Sequence, residues 1–90
     1  MTASFAISKA GHDKGTLYCI IDEHEEFVML SDGDLKPIAT PKKKNKKHVQ
    51  PVKNIPEEIM KMCFQDEKFF DEGIKRALKE YRAASKKDQQ

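Results

Sequence analysis

Tryptophan is absent from this 90-residue chain, cysteine occurs only twice, and aromatic residues make up 8%. No apolar run approaches the roughly 20 residues of a membrane-spanning helix. The N-terminus also lacks the charged-then-apolar pattern of a secretory signal, so the chain reads as a cytoplasmic protein with no membrane partner. Cys19 and Cys63 stand 44 positions apart and have no companion His/Cys cluster, which removes a zinc site. They read either as two reduced, buried thiols or as a disulfide pair. The length excludes a cofactor domain joined to a substrate domain. It leaves room for one small domain with an appendage.

The inventory for catalysis is equally thin. His12, His24 and His48 show no metal-ligand spacing, and no sequence context supports a Ser-His-Asp or Cys-His set. Gly11 and Gly15 do not form a phosphate-cradling GxxxxGK[ST] loop. Asp22, Glu23, Glu25 and Glu26 crowd one short stretch and read as a solvated hairpin loop. The expectation is a protein that is not an enzyme, with no catalytic residue, no metal and no cofactor.

What the chain does have is charge, at 36% of residues, with a mean hydropathy of -0.76. The net charge is only +2, but the charges are segregated. Residues 1–35 hold two basic and seven acidic side chains, a balance of -5. Residues 36–53 hold seven lysines and no acid, a balance of +7. Such asymmetry points to a polyanionic partner engaged at one edge of the molecule.

Period and turn signals divide the chain in two. Ser4–Ala10, Thr16–Ile21 and Phe27–Ser31 read as strands, with Leu17, Cys19 and Ile21 on one face and Tyr18 and Ile20 on the other. Leu35–Ile38 reads as a short edge strand because of its proline, and His48–Val52 as a last strand. Five short strands with tight turns predict a small barrel over residues 1–53, with residues 41–48 as a basic loop. Asn54-Ile55-Pro56-Glu57-Glu58 is a helix start, and Asp66 is a second candidate start. Phe70, Ile74, Ala77, Leu78 and Tyr81 form one helical stripe. Residues 54–84 therefore predict one or two short helices packed on the barrel, and residues 85–90 a flexible tail.

The run Pro41-Lys42-Lys43-Lys44-Asn45-Lys46-Lys47-His48 has three readings from composition alone. It can be a solvated loop, a lysine-blunted sheet edge, or a phosphate-contacting surface indifferent to base identity. Asn45 and His48 add hydrogen-bonding and stacking capacity to it.

Three segments carry a family resemblance. Ala10-Gly11-His12-Asp13-Lys14-Gly15 before an apolar strand looks like the KOW motif of translation and transcription proteins. Val28-Met29-Leu30-Ser31-Asp32-Gly33 resembles a VLxDG strand-turn, and Lys42 to Val49 resembles a basic run leading into Asn-x-x-His-Leu. In that order they are similar to the KOW-domain ribosomal proteins that include large-subunit protein "L fourteen e", and to short bacterial KOW-domain RNA-binding proteins. The resemblance covers residues 4–52, and the helical segment Ile74 to Tyr81 is similar to the tails of the bacterial members. Val49 stands where the family has Leu, and the first half is more acidic than a dedicated ribosomal protein.

The resemblance implies an SH3-like barrel, RNA binding and a tie to the ribosome. The partners it implies are RNA, ribosomal RNA above all, and ribosomal proteins, with the chain itself a monomer. The implied RNA face is His12, Lys14, Lys42, Lys43, Lys44, Asn45, Lys46, Lys47 and His48. His12 can equally be a plain exposed turn residue, and His48 can hold the loop across the barrel. The alternative function is a protein-interaction adaptor of the same barrel class, using the acidic loop or the Phe69/Phe70 region.

Overall fold

The computed structural model describes residues 3–88. Alternating apolar positions build three antiparallel strands, β1 (Ser4–Ser8), β2 (Leu17–Glu23) and β3 (Phe27–Ser31). Then come β4 (Lys42–Asn45), a single 3-10 turn (Lys46–His48) and β5 (Val49–Pro51). These form one curled antiparallel sheet in the order β4-β3-β2-β1-β5, a half-barrel. A short helix α1 (Glu57–Met62), a two-stranded hairpin of β6 (Phe64–Gln65) and β7 (Lys68–Phe69), and a helix α2 (Asp71–Asp88) complete the chain. The fold is thus mostly β with a C-terminal helix, the architecture of a small SH3-like barrel with a helical extension.

The two faces of the sheet bury different residues. Ala6, Tyr18, Val28, Leu30 and Val49 pack together with Ile20. All of them come from strands, so their shared face is the inside of the curl. Phe5, Leu17 and Cys19 point the other way and join Ile59, Cys63, Ile74, Ala77 and Leu78 of the helical half in one core. Ile74, Ala77 and Leu78 are almost fully buried, and Tyr81 meets Phe5 edge-to-face with ring centroids 5.7 Å apart. The expected helical stripe is therefore the face that covers the sheet.

Several expectations need correction. The basic segment 41–48 is not a loop. Lys42–Asn45 pairs with β3 in the register Leu30↔Lys42, Met29↔Lys43, Val28↔Lys44 and Phe27↔Asn45, forming an edge of the sheet. Leu35–Ile38 forms no strand. Its place is an ordered turn in which Asp32 Oδ1 accepts from the Asp34 and Lys36 amides, and Leu35 is left 83% exposed. Asp66 does not start a helix. It and Glu67, both with positive φ (52° and 64°), make the tight turn of the β6–β7 hairpin. α2 is long, at 18 residues, and stays helical through Asp88 where a tail was expected. Residues 89 and 90 of that tail lie outside the described residues.

Gly33 shows why one turn is built as it is. Its φ is +73°, and a Cβ there would run into the Asp71 carbonyl and come within 2.9 Å of the Lys75 amide. The turn after β3 therefore presses its backbone against the first turn of α2. The Asp71 carboxylate seals the contact by accepting from the Ile38 amide at 2.8 Å.

Candidate nucleic-acid interface

The turn between β1 and β2 is closed by Gly11 (φ +86°) and Gly15 (φ +90°), which occupy the left-handed region without a side-chain penalty. Between them, Asp13 points back into the fold, with its side chain 13% exposed. It accepts hydrogen bonds from the Ser8 hydroxyl and the Tyr18 phenol, each at 2.9 Å. It also pairs with Lys42 at 2.8 Å and Lys44 at 2.7 Å. Lys44 additionally donates to the Ala10 carbonyl at 2.7 Å, and its side chain is only 10% exposed.

The strand register explains this arrangement. Lys42 and Lys44 lie opposite Leu30 and Val28, so their stems share the inner face and their ammonium groups emerge at the β1–β2 turn. Desolvation alone would raise the Asp13 carboxyl. The hydrogen bonds from Lys42, Lys44, Tyr18 and Ser8 outweigh it and hold the group well below the ordinary carboxylate range. The Tyr18 phenol is pushed up by burial, by its hydrogen bond to Asp13 and by the negative charges of Asp13 and Asp32.

Lys43 and Asn45 belong to the outer face, opposite Met29 and Phe27. Lys43 Nζ lies 4.3 Å from the centroid of the Phe27 ring, on which His24 also stacks at 4.3 Å. Asn45 Oδ1 accepts from the Lys47 amide and caps the 3-10 turn. Lys46 pairs with Glu23 at 3.0 Å. Lys47 is exposed, and His48 is half-buried, its carbonyl accepting from the Lys9 amide at 2.8 Å. His12 and Lys14 are exposed on the turn.

The expected site residues thus divide. Asp13 and the Lys9–His48 bond bring the turn bearing His12 and Lys14 against the segment 42–48. Within that segment, Lys42 and Lys44 are held in an interior ion-pair cluster, and Lys46 in a surface pair. Lys14, Lys43 and Lys47 project to solvent, and no carboxylate among the described residues lies within 4 Å of their ammonium groups. Lys9, exposed beside His48, joins them. The sequence reading missed Lys9, although it flanks the turn, and it missed Asp13 as the residue that assembles the edge. No group of three His, Cys, Asp or Glu side chains among the described residues is placed to hold a metal ion. No described helix is long and apolar enough to cross a membrane.

Neither a family model nor a curated protein matches the chain.

Proposed function

We propose that this chain is an RNA-binding module of the KOW ribosomal-protein type, acting in the cytoplasm on ribosomal or other structured RNA. The observation that carries the reading is the edge assembled by Asp13. One carboxylate holds two lysines, so the cluster keeps a net positive charge; exposed Lys9 and Lys14 flank and occupy its turn, and exposed Lys43 and Lys47 extend the positive charge along β4 and the 3-10 turn. Flexible ammonium groups on a rigid edge suit phosphate oxygens and are indifferent to base identity. Asp13 supplies the rigidity, fixing the turn to β4 without a free anion facing outward. The acidic β2–β3 loop, with Asp22, Glu23, Glu25 and Glu26, borders the Lys43–Lys46 end of this edge, where Glu23 already pairs with Lys46, and its repulsion limits how far a polyanion extends there.

The test is the salt dependence of binding to a labelled structured RNA. Each phosphate contact contributes about 0.7–0.9 to the slope of log affinity against log salt. Replacing Lys43 and Lys47 by Gln should flatten that slope by roughly 1.5 while leaving the fold intact. Lys44→Gln acts chiefly on stability. An unchanged slope for the Lys43/Lys47 variant sinks the edge as the binding surface.

A second reading, a protein-interaction adaptor, draws on the half-buried Phe64 and Phe69, whose rings pack with centroids 4.5 Å apart on the β6–β7 hairpin. Sedimentation with ribosomal subunits separates the two. Association abolished by RNase supports the RNA module, and association that survives RNase supports the adaptor.

A further inference from the structure

α2 carries a feature that its packing does not use. Lys75, Lys79 and Arg82 follow one another at i, i+4 and i+7, along the flank of the helix beside buried Leu78, and all three are exposed. Position 86, the next in the same spacing, is also lysine in the sequence. Like charges three and four residues apart weaken a helix, so the stripe is a local cost to the fold. Lys75 has a partner in Asp34 at 3.5 Å. Lys79 and Arg82 have no carboxylate within 4 Å among the described residues. A local cost compensated only at its Lys75 end marks the remainder as a surface shaped for something outside the folded chain.

Its position tells what that is. A shallow hollow of about 140 Å³ is lined by Thr16 and Leu17 on one side and by Lys75, Leu78 and Arg82 on the other. Thr16 follows Gly15, and its amide donates to the Asp13 carbonyl at 2.9 Å. The helix stripe therefore borders the same turn whose Asp13 side chain binds Lys42 and Lys44. Asp32 and Asp34 also line the hollow. Asp34 pairs with Lys75, and Arg82 lines the hollow with Thr16, next to the turn that bears Lys14, with Lys79 one turn back along the helix.

We infer that Lys79 and Arg82 form a second RNA-phosphate contact, continuing the track from the β4 edge across the Gly11–Gly15 turn onto the exposed flank of α2. This rests on the RNA reading above and extends it, since one phosphate backbone would engage both the sheet edge and the helix. Arg82 can hold a phosphate through its planar fork, whereas Lys79 acts as a point charge.

The test is charge neutralisation, Lys79→Gln with Arg82→Gln, in the full chain, with a labelled RNA hairpin as probe. Neutralisation removes the repulsive Lys75/Lys79 and Lys79/Arg82 pairs, so the thermal midpoint should hold or rise. RNA affinity should fall by about tenfold or more, and the salt slope by about 1.5. Opposite movement of stability and affinity cannot come from misfolding. An unchanged slope in this variant, together with a flattened slope for Lys43→Gln/Lys47→Gln, overturns the helix contact and leaves the RNA reading standing. A wild-type chain whose binding to the hairpin does not depend on salt overturns both.

Discussion

A carboxylate at position 13 binds two lysines, a tyrosine and a serine, and no sequence pattern announces it. In the sequence Asp13 is one turn residue between two glycines. Its weight comes from register, because Lys42 and Lys44 reach it only when β4 places both on the inner face. Asp13→Asn leaves both ammonium groups without their counter-charge and should destabilise the fold by about 3 kcal/mol, read by urea unfolding at neutral pH. The carboxyl titrates lower in the folded chain than its unfolded value of about 3.9. Its stabilisation is therefore complete above that value and is lost as pH falls below it toward the folded value. The gap between wild type and Asp13→Asn should narrow as unfolding is measured at successively lower pH below about 4. Tyr18→Phe removes one donor and should cost about 1 kcal/mol, with the same acid-dependent sign.

Elements differ in how plainly their residues announce them. β1, β2 and β3 were legible because alternating apolar residues must face opposite sides of a sheet. The stripe of α2 was legible from its 3.6-residue period. β4 was not, since lysine and asparagine have low strand propensity and a uniform lysine run shows no alternation. Pairing with Val28 and Leu30 makes it a strand, and only that register separates structural Lys42 and Lys44 from exposed Lys43. The cations of the site could thus be read from composition, but not their division of labour. The β6–β7 hairpin was hidden for a related reason, because its turn places Asp66 and Glu67 in the left-handed region instead of the Asn-Gly that signals such turns. α2 also contains a position where propensity and packing oppose each other. Alanine at Gly73 would favour the helix by about 1 kcal/mol. Its Cβ, however, would meet the Met62 carbonyl and the Phe70 ring. Packing should win, so Gly73→Ala lowers stability by about 2 kcal/mol in thermal unfolding. The buried Cys19–Cys63 pair joins β2 to the end of α1. The neighbouring Cys63 sulfur, and then burial, push the Cys19 thiol up, while the neighbouring Cys19 draws Cys63 down against its own burial. Both thiols are fully buried, so alkylation of the native protein should be slow at each and speed up only on unfolding, as mass spectrometry of timed samples can establish.

At the scale of the whole molecule, the strands and the helices share a core, and neither half covers its part of that shared core alone. Cutting the chain after residue 53 removes Ile59, Cys63, Ile74, Ala77 and Leu78 from over Phe5, Leu17 and Cys19. That fragment should be unfolded or aggregated by circular dichroism and sedimentation, whereas the full chain remains dispersed. The contact of Phe5 with Tyr81 also has a consequence in time. Translation delivers about 5–20 residues per second, so the strands are made seconds before the helix that covers them. During that interval the nascent sheet exposes an apolar face and unpaired edges, the features by which half-made sheets join one another. One edge is β4, where three of four residues are lysine. The lysines of β4, two of them held by Asp13 in the finished protein, would by their mutual repulsion keep copies of the same unfinished sheet apart.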